Sequence, residues 1–314
     1  MKTVFIINPC AGKKKDVDAF INKIYLVKND VEIYETTAVG DATRFVREYI
    51  KTNGVARFIA CGGDGTLNEV VNGAAEMPYC EVGVIPMGTG NDFCRNFDKE
   101  CNFFNIQAQI EGDSEKCDLI RYTITDKGTQ KSGYCINMFN IGFDCNVADM
   151  TNFVKQKTFF GGSVAYFIAI LVTLIRKKGE NLKIELGGET SHDGKLLLTS
   201  IANGCYCGGG IKSNPLAKIK DGLININIIK NISRLRFITL LPSYMNGTVL
   251  KKKGVEKFIK SVKCNKVILT PNNKNMRICI DGEITDAEKT EFSIVHNGIN
   301  FVVPKEKARK KVIV

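Results

Sequence analysis

The first 90 residues alternate between short aliphatic runs and longer stretches in which apolar residues recur at helical spacing. Parallel strands need a long crossover connection, usually a helix, so this alternation predicts a doubly wound parallel sheet with helices on both faces. In open sheets of this kind, ligands bind at the carboxyl ends of the strands. The pattern predicts strands at residues 4–7, 31–34, 58–61 and 82–85 and helices at residues 16–28, 41–51 and 67–75.

The pattern changes near residue 122, after which short strand-like runs separated by Gly, Asn and Asp turns predominate. Such runs are typical of an antiparallel β domain, folded as a sandwich or a distorted barrel. One long helix is predicted there, at Ser163–Lys178. We therefore expect an α/β domain at residues 1–122 with 302–314, a sandwich-like β domain at residues 123–301, and a cleft between them. The predicted strands cover residues 134–140, 182–186, 196–202, 223–229, 267–270, 276–280, 291–295 and 301–303.

The composition is that of a globular protein, and its charge favours an anionic partner. With 314 residues, 44% of them hydrophobic, the chain is long enough for two domains with ordinary cores. The net charge of +11 fits an acidic membrane, a phosphate-rich ligand or a nucleic acid, or simply a solvated Lys-rich surface. Nucleic-acid binding is not expected, because no recognition helix or aromatic stacking ribbon accompanies the charge.

No segment of the sequence is expected to cross a membrane as a helix. The longest apolar run, Val164–Ile175, is shorter than the ~20 residues that a spanning helix needs. The N-terminus lacks the pattern of a signal peptide. We therefore expect a cytoplasmic protein whose 12 cysteines are reduced thiols. Because His192 and His296 are the only histidines, a His-rich metal centre is excluded and a Ser-His-Asp hydrolase is not expected.

The segment Cys61–Gly73, with the sequence CGGDGTLNEVVNG, carries the strongest local signal for a binding site. Its strand runs into Gly62, Gly63 and Gly65, which can adopt positive φ and let a backbone approach a ligand closely. The helix that follows offers unpaired N–H groups and the positive end of its dipole, which favour a phosphate. Asp64 would repel that phosphate unless Mg²⁺ bridged the two groups.

The same residues also fit a structural turn in which Thr66 caps the helix and Glu69 completes a capping box. Two further loops favour the ligand. Asn8–Gly12 follows the first strand and Pro86–Asp92 follows the fourth, so three small polar loops are expected at one edge of the sheet. Lys13–Lys15 place cations at a helix N-terminus, where they oppose the dipole unless an anion binds.

Together these motifs resemble the catalytic domain of the diacylglycerol kinase family. The resemblance runs through the whole chain, whose layout is similar to the bacterial soluble lipid kinases of a superfamily that includes sphingoid-base and ceramide kinases. The glycine-rich motif alone is shared with NAD kinases. The matching residues are Asn8, Pro9 and Gly12, Gly62–Thr66, Gly88–Phe93 with Arg95, Asn140–Asp144, Ala202–Gly204 with Gly208–Gly210, Asp221–Leu223 and Asp281–Glu283.

The resemblance implies an ATP site and a catalytic Mg²⁺ in the first domain. Asp64 and Asp92 would organise the Mg²⁺, while Asp281 and Glu283 would come from the β domain, with Glu283 as general base on the lipid hydroxyl. Phosphoryl transfer does need positioning, metal charge and a carboxylate that accepts a proton. The residues alone favour a hairpin turn at Asp281. The implied nucleotide site comprises Asn8, Pro9, Gly12, Lys13, Thr36, Gly62, Gly63, Asp64, Gly65, Thr66, Leu67, Asn68, Glu69, Gly88 and Thr89.

The resemblance also implies a structural Mg²⁺, held by the carboxylate of Asp221 and the backbone carbonyls of Lys218 and Leu223. Many relatives carry acidic residues near this loop, whereas this chain has Leu216 and Lys220 there. A lone carboxylate flanked by lysines makes a weaker site for the ion.

The function that the resemblance implies is that of a cytoplasmic lipid kinase, peripheral to the inner face of the membrane. It would transfer the γ-phosphoryl group of ATP to a lipid hydroxyl, with diacylglycerol as the first expected acceptor and phosphatidic acid as product. A sphingoid base, a phospholipid head group or a soluble acceptor such as NAD stays open. The alternative from another class is a catalytically silent nucleotide- or lipid-binding regulator. A homodimer is left open.

Two segments are candidates for contact with an anionic membrane surface. Val164–Ile175 with the basic Arg176–Lys178 has the character of an interfacial helix, although a core helix with cations at its C-terminus is favoured. The basic cluster Lys305–Lys311 would add about 1 kcal/mol of attraction per cation near anionic lipid. A disordered solubilising tail explains that cluster as well.

Overall fold

The computed structural model describes residues 1–11, 17–28, 30–142, 179–273, 275–280 and 283–304, and of Glu283 it describes the backbone alone. The chain divides into two compact units, Met1–Cys117 with Gly298–Val314 and Asp118–Asn297. The change in sequence pattern placed the corresponding boundaries at residues 122 and 302, a few residues later along the chain.

The first unit is built on a parallel sheet. Its elements are β1 (Lys2–Ile7), α1 (Val17–Val27), β2 (Glu32–Glu35), α2 (Asp41–Asn53), β3 (Ala56–Gly62), α3 (Asp64–Ala74), β4 (Glu81–Pro86), α4 (Ile106–Glu111) and the end of β15 (Lys289–Val302). The strand order is β2–β1–β3–β4–β15, and every pair is parallel. Every strand and helix predicted before residue 90 is therefore confirmed, although α3 begins at Asp64 rather than at Leu67.

Helices cover both faces of this sheet because each strand alternates between two apolar faces. Phe5 of β1 lies in a buried cluster with Ile24 of α1 and Ile110 of α4. On the opposite face, Tyr49 of α2 packs edge-on against Phe58 of β3, with ring centroids 5.5 Å apart. The predicted doubly wound α/β class is confirmed.

An aromatic cluster holds the end of β15 in the first unit. The ring centroid of Phe301 lies 5.0 Å from that of Phe93, 5.3 Å from Phe97 and 6.3 Å from Phe103. Phe93 opens a short 3-10 turn, Phe93–Asn96, directly after the loop that follows β4. The C-terminal strand therefore packs against the turn that ends this loop.

The second unit is antiparallel, as predicted. Its strands are β5 (Ser114–Asp126), β6 (Thr129–Cys135), β7 (Met138–Gly142), β8 (Glu180–Leu186), β9 (Glu189–Ala202), β10 (Ile224–Lys230), β11 (Ile259–Cys264), β12 (Lys266–Pro271), β13 (Met276–Ile280), β14 (Glu283–Ala287) and the start of β15. The order is β14–β13–β7–β9–β8–β12–β15, while β10 pairs with β9 and β11, and β5 pairs with β6. The strand predicted at residues 134–140 is in fact divided between β6 and β7.

The second unit also contains a helix that the sequence pattern did not indicate, α5 (Arg234–Met245). Ser233 caps it by accepting a hydrogen bond from the backbone N–H of Arg236 at 3.3 Å, and Pro242 lies inside it. The helix predicted at Ser163–Lys178 lies outside the described residues. No helix in the described ranges is long and apolar enough to cross a bilayer. The inner face of α5 packs on a buried cluster through Phe237, Leu240, Leu241 and Tyr244.

Asp118, the first residue of the second unit, is a buried carboxylate that joins three segments. It accepts the backbone N–H of Gly222 at 2.7 Å, the backbone N–H of Asn297 at 2.8 Å and a hydrogen bond from His296 Nδ1 at 2.8 Å. Gly222 has a φ of 70°, and a Cβ on it would lie 3.1 Å from His296 Nδ1. Both the backbone conformation and the space therefore require glycine at this position.

The Gly222→Ala variant is expected to unfold at lower urea concentration than wild type. Positive φ costs a residue with a side chain about 1–2 kcal/mol, and the new methyl group would displace His296 from Asp118. The urea midpoint measures the loss. Gly187→Ala is the matched control, because Gly187 also has positive φ (58°) but nothing within 4 Å of its Cβ position. Equal losses in the two variants would show that the His296 contact contributes nothing.

Candidate active site

Loops that follow the first four strands meet at the carboxyl edge of the first unit's sheet. Asn8, after β1, donates from Nδ2 to Thr66 Oγ1 at 3.1 Å. Thr36, after β2, donates its backbone N–H to the last carbonyl of β1 at 2.9 Å. Met87, after β4, donates its N–H to the carbonyl of Gly62 at 2.8 Å. The structure thus brings the predicted loops together at one edge.

Gly62 and Gly88 in these loops are required for space and not for backbone conformation. None of Gly62, Gly63, Gly65 and Gly88 has positive φ, which corrects the expectation drawn from the motif. A Cβ on Gly62 would lie 2.3 Å from Thr66 Oγ1, and one on Gly88 would lie 2.5 Å from the Cα of Gly63. A Cβ on Gly65 would meet nothing within 4 Å, so the first turn of α3 is open on that side.

Helix α3 begins without a side-chain cap. Gly63 occupies the N-cap position and no side chain accepts a hydrogen bond there. Thr66 lies within the helix, so the capping box of Thr66 and Glu69 is wrong. Glu69 instead accepts the backbone N–H of Ala42 at the start of α2, at 3.1 Å. The first N–H groups of an uncapped helix are available to an anion.

Two carboxylates approach one point beside Gly90. A Cβ on Gly90 would lie 2.7 Å from Asp64 Oδ2 and 3.3 Å from Asp92 Oδ2, and Asp64 Oδ1 accepts the backbone N–H of Asp92 at 2.8 Å. Mg²⁺ binds through one or two carboxylates together with phosphate oxygens and waters, and these two side chains fit that donor set. Within the described ranges no group of three or more His, Cys, Asp and Glu side chains is placed to hold a metal.

Asp64 occupies an unfavourable position for a charge unless a cation is bound. Burial raises the pKa of this carboxyl, and the backbone N–H groups of Asp92 and Phe93 offset the effect only in part. A desolvated carboxylate gains most from an opposite charge nearby. The raised pKa therefore agrees with a role for Asp64 as a ligand of Mg²⁺.

Asn91 and Arg95 complete this loop, and neither was among the predicted site residues. Asn91 has a φ of 50°, and its side chain accepts the N–H of Gly88 at 3.1 Å and donates to the carbonyl of Gly88 at 2.7 Å. Arg95 Nε lies 3.6 Å from Asp92 Oδ1, and Arg95 Nη2 donates to the carbonyl of Gly90 at 3.3 Å. Arg95 was visible in the motif, whereas nothing in the sequence indicated how Asn91 closes the loop.

Asp41 fixes the segment around Thr36. Its carboxylate accepts the backbone N–H of Thr37 at 2.9 Å and the Tyr34 hydroxyl at 3.0 Å, and it forms an ion pair with Arg44. The hydrogen bond from the Thr37 backbone is the main cause that lowers the pKa of Asp41 to about 2. These contacts hold the segment that contains Thr36, which is buried at the edge of the sheet.

The other predicted site residues differ in their burial, and some lie outside the described residues. Leu67 is a core residue whose N–H donates to the carbonyl of Gly63 at 3.1 Å, and Thr89 is exposed. The backbone of Glu283 pairs with Ile280 across β13 and β14. The roles that the resemblance implies for these residues stay predictions. Pro9 and Asn68 are half-buried, and Gly12, Lys13 and Asp281 lie outside the described residues.

The motifs and the fold agree with the comparisons with known proteins. The diacylglycerol kinase catalytic domain profile matches residues 2–122, and that of the YegS C-terminal NAD kinase beta sandwich-like domain matches residues 137–303. A diacylglycerol kinase of Staphylococcus carnosus (strain TM300) is 31% identical over 98% of this chain and 97% of its own length. The chain belongs to the diacylglycerol kinase family. The resemblance drawn from its motifs is confirmed, and with it the lipid kinase class.

A second relative and two solved structures are also similar to this kinase. A diacylglycerol kinase of Bacillus subtilis (strain 168) is 29% identical over 97% of each chain. The crystal structure of a diacylglycerol kinase from Bacillus anthracis str. Sterne covers 96% of each chain with a TM-score of 0.66 at 20% identity. Yeast NADH kinase covers 96% of this chain and 83% of its own, with a TM-score of 0.52 at 11% identity. At these identities the two structures bear on the fold alone, and they confirm its class.

The loop before β10 is the predicted site of a structural Mg²⁺, through Asp221 with the carbonyls of Lys218 and Leu223. In this kinase Asp221 Oδ1 accepts the N–H of Leu223 at 3.2 Å, and Oδ2 forms an ion pair with Lys263 of β11. The lysine reaches the loop because β10 and β11 pair with Asn225 opposite Lys263. An ammonium group already neutralises the carboxylate, so these residues fit a divalent ion poorly, and this metal stays a prediction.

Replacing Lys263 by Met is expected to make the loop sensitive to Mg²⁺. The loss of a partly exposed ion pair costs about 0.2–1 kcal/mol, and the Asp221 carboxylate becomes available to a divalent ion. In an Asp64→Asn background, which removes the other proposed site, Mg²⁺ should raise the melting temperature of the variant more than that of its parent. Lys260→Met, on the same strand, is the matched control. Equal responses to Mg²⁺ would contradict competition between Lys263 and the metal.

Proposed function

We propose that this kinase transfers the γ-phosphoryl group of ATP to the hydroxyl of diacylglycerol and releases phosphatidic acid. The observation that carries the proposal is the approach of Asp64 and Asp92 to one point beside Gly90, next to the open first turn of α3. Phosphoryl transfer depends on the positioning of phosphates and on the neutralisation of their charge. An uncapped helix supplies the first of these, and a carboxylate pair that can hold a metal supplies the second.

The nucleotide phosphates would bind along the backbone from Gly63 to Glu69. The uncapped N–H groups of α3 would donate to phosphate oxygens, and Gly65 lets the phosphates approach closely because it has no Cβ. Mg²⁺ held by Asp64 and Asp92 would neutralise the charge that develops on the transferred group. Arg95 would keep the Asp92 carboxylate in place through the 3.6 Å ion pair.

Glu283 is proposed to act as the general base, with Asp281 beside it in sequence. The lipid hydroxyl would lose its proton to the Glu283 carboxylate as its oxygen bonds to the γ-phosphorus, and the bond to the ADP oxygen would break. Family resemblance supports this assignment. A positioned base contributes about 10²–10⁴-fold to such a reaction.

The names of two relatives support diacylglycerol as the acceptor. The proteins of Staphylococcus carnosus and Bacillus subtilis, which match this chain over nearly its full length, are both named diacylglycerol kinase. Diacylglycerol lies in the bilayer, so the enzyme would act as a peripheral protein at the inner face of the membrane, where ATP is present.

The proposal is tested by incubating the purified protein with Mg²⁺, γ-labelled ATP and mixed micelles of single lipids. Diacylglycerol, a sphingoid base and a phospholipid are compared, with NAD as a soluble acceptor. Labelled phosphatidic acid in the organic phase is the expected result. Label on NAD alone, or ATP binding without any labelled product, would overturn the proposal in favour of a soluble acceptor or a silent regulator.

A further inference from the structure

The outward face of α5 carries apolar side chains. Leu235 is 77% exposed and Ile238 is 52% exposed, and residues three apart lie on the same side of a helix. The inward face is well packed, since Phe237 is buried in the cluster that the helix covers. Leu235 and Ile238 are therefore exposed although the opposite face of α5 is packed against the protein. Adjacent exposed apolar side chains of this kind are typical of an interaction site.

Basic side chains border these apolar residues. Arg236, Lys252, Lys253 and Lys257 line a groove of about 610 Å³ between the start of α5 and residues 252–258, and Leu235 lines it with them. All four cations are exposed. The guanidinium of Arg236 lies 4.5 Å above the ring of Phe258, which holds it at the groove. Within residues 252–258 the sequence has a single acid, Glu256, so the surface is strongly positive.

We propose that this surface docks the kinase on an anionic phospholipid bilayer. Leu235 and Ile238 would enter the boundary between head groups and acyl chains, and the cations would lie among the lipid phosphates. Helices that combine these two features bind at membrane interfaces. The inference rests on the proposed function, since an acceptor in the bilayer requires an enzyme that reaches it. The α5 surface, as we name it, consists of Leu235, Arg236, Ile238, Lys252, Lys253 and Lys257.

Charge complementarity favours a bilayer over a second copy of the chain. Two-fold symmetry would place the same patch on both sides of a dimer interface, and the four cations of one α5 surface would face those of the other. Like charges opposed across an interface disfavour association. An anionic bilayer offers the opposite charge over a wide area, and it attracts basic side chains within a Debye length.

Flotation of the full-length protein with vesicles tests the docking surface. The vesicles contain phosphatidylglycerol and phosphatidylcholine in equal parts, or phosphatidylcholine alone. Wild type should bind the mixed vesicles and should be released by high salt. Each cation near the surface strengthens binding about fivefold, so the triple variant K252Q/K253Q/K257Q should bind on the order of 10²-fold more weakly. The double variant L235S/I238S should bind on the order of 10²-fold more weakly.

Matched controls remove the same groups from elsewhere on the chain. The triple variant K28Q/K51Q/K99Q changes the net charge by the same amount at exposed positions, and L26S removes a leucine that is 86% exposed. Both should bind the mixed vesicles within about twofold of wild type, because charge far from the bilayer is screened. Circular dichroism and melting temperature establish that each variant is folded.

Three results would overturn the proposal. The first is failure of wild type to bind the mixed vesicles, and the second is binding of the α5 variants equal to that of the controls. The third is a dimer in sedimentation that L235S/I238S converts to a monomer, which would make a second copy the occupant. Wild-type activity toward a water-soluble short-chain diacylglycerol tests the proposed function separately, because that acceptor needs no bilayer. If the protein binds vesicles but does not phosphorylate the short-chain diacylglycerol, the proposed function is rejected and the proposed docking surface is retained.

Discussion

Replacing Asp64 by Asn is expected to lower lipid phosphorylation by about 10²–10³-fold and to raise the melting temperature of the ligand-free protein. The amide keeps the shape of the side chain and still accepts the N–H of Asp92, but it no longer binds Mg²⁺ as a carboxylate. Because burial raises the pKa of Asp64, the charge itself is a cost to the folded protein. The same substitution should therefore lower activity and raise stability.

The gain in stability depends on pH in a defined direction. An acid whose pKa is raised by folding destabilises the folded protein above that raised pKa, and the cost disappears as the pH falls toward the ordinary value of 3.8. The advantage of Asp64→Asn should be largest at neutral and alkaline pH and should shrink on acidification. Differential scanning fluorimetry of ligand-free protein across this range measures it.

Two controls make the Asp64 experiment specific. Mg²⁺ with ATP should raise the melting temperature of wild type more than that of Asp64→Asn. Asp98→Asn, which changes an exposed aspartate of the same unit, should alter neither activity nor the response to Mg²⁺. An Asp64→Asn variant that kept more than a tenth of wild-type activity would falsify the assignment of this carboxylate to the metal.

The second large effect is expected at Glu283. Glu283→Gln should lower kcat by about 10²–10⁴-fold, the contribution of a general base, with little change in the affinity for ATP, because the residue is not proposed to touch the nucleotide. The substitution keeps the size of the side chain and removes its capacity to accept a proton. Labelled phosphatidic acid measures kcat, and fluorescence titration with ATP measures affinity.

The pH dependence of kcat distinguishes a base from a merely structural residue. At saturating Mg²⁺ and ATP, where a bound metal would keep Asp64 ionised, the wild-type rate should fall at low pH as Glu283 becomes protonated, and in Glu283→Gln the residual rate should lack this acid limb. Glu288→Gln is the matched control, since Glu288 is an exposed glutamate in the same stretch of chain. A variant that is slower but keeps the acid limb would place the base at another residue.

The first unit could be predicted from sequence because its local and long-range signals agree. The strands are short and aliphatic, and helices such as α2 carry their apolar residues on the face that the sheet covers. At the active site the sequence likewise predicted where the loops lie. It did not predict why the glycines are needed, because the backbone contact between Gly63 and Gly88 joins two loops that are distant in sequence.

Helix α5 was missed for a physical reason that also bears on its proposed role. A helix is recognised by one apolar and one polar face, and α5 presents Leu235 and Ile238 on the face that a soluble helix makes polar. Pro242 further weakens the helical pattern. The ion pair between Asp221 and Lys263 was missed because it joins residues that only the pairing of β10 and β11 brings together.

The pairing of β4 with β15 ties the order of protein synthesis to the completion of the first unit. The ribosome makes β1 to β4 early, but the strand that covers the edge of β4 is made only when translation reaches Asn300 and Phe301. Until then β4 presents an unpaired edge, which is a template for wrong pairing. Phe301, which packs on the turn after Asp92, arrives equally late. The nascent chain therefore cannot complete this parallel sheet before translation has passed residue 302, and a gene fragment that stops before residue 298 would encode the sheet without the part of β15 that pairs with β4.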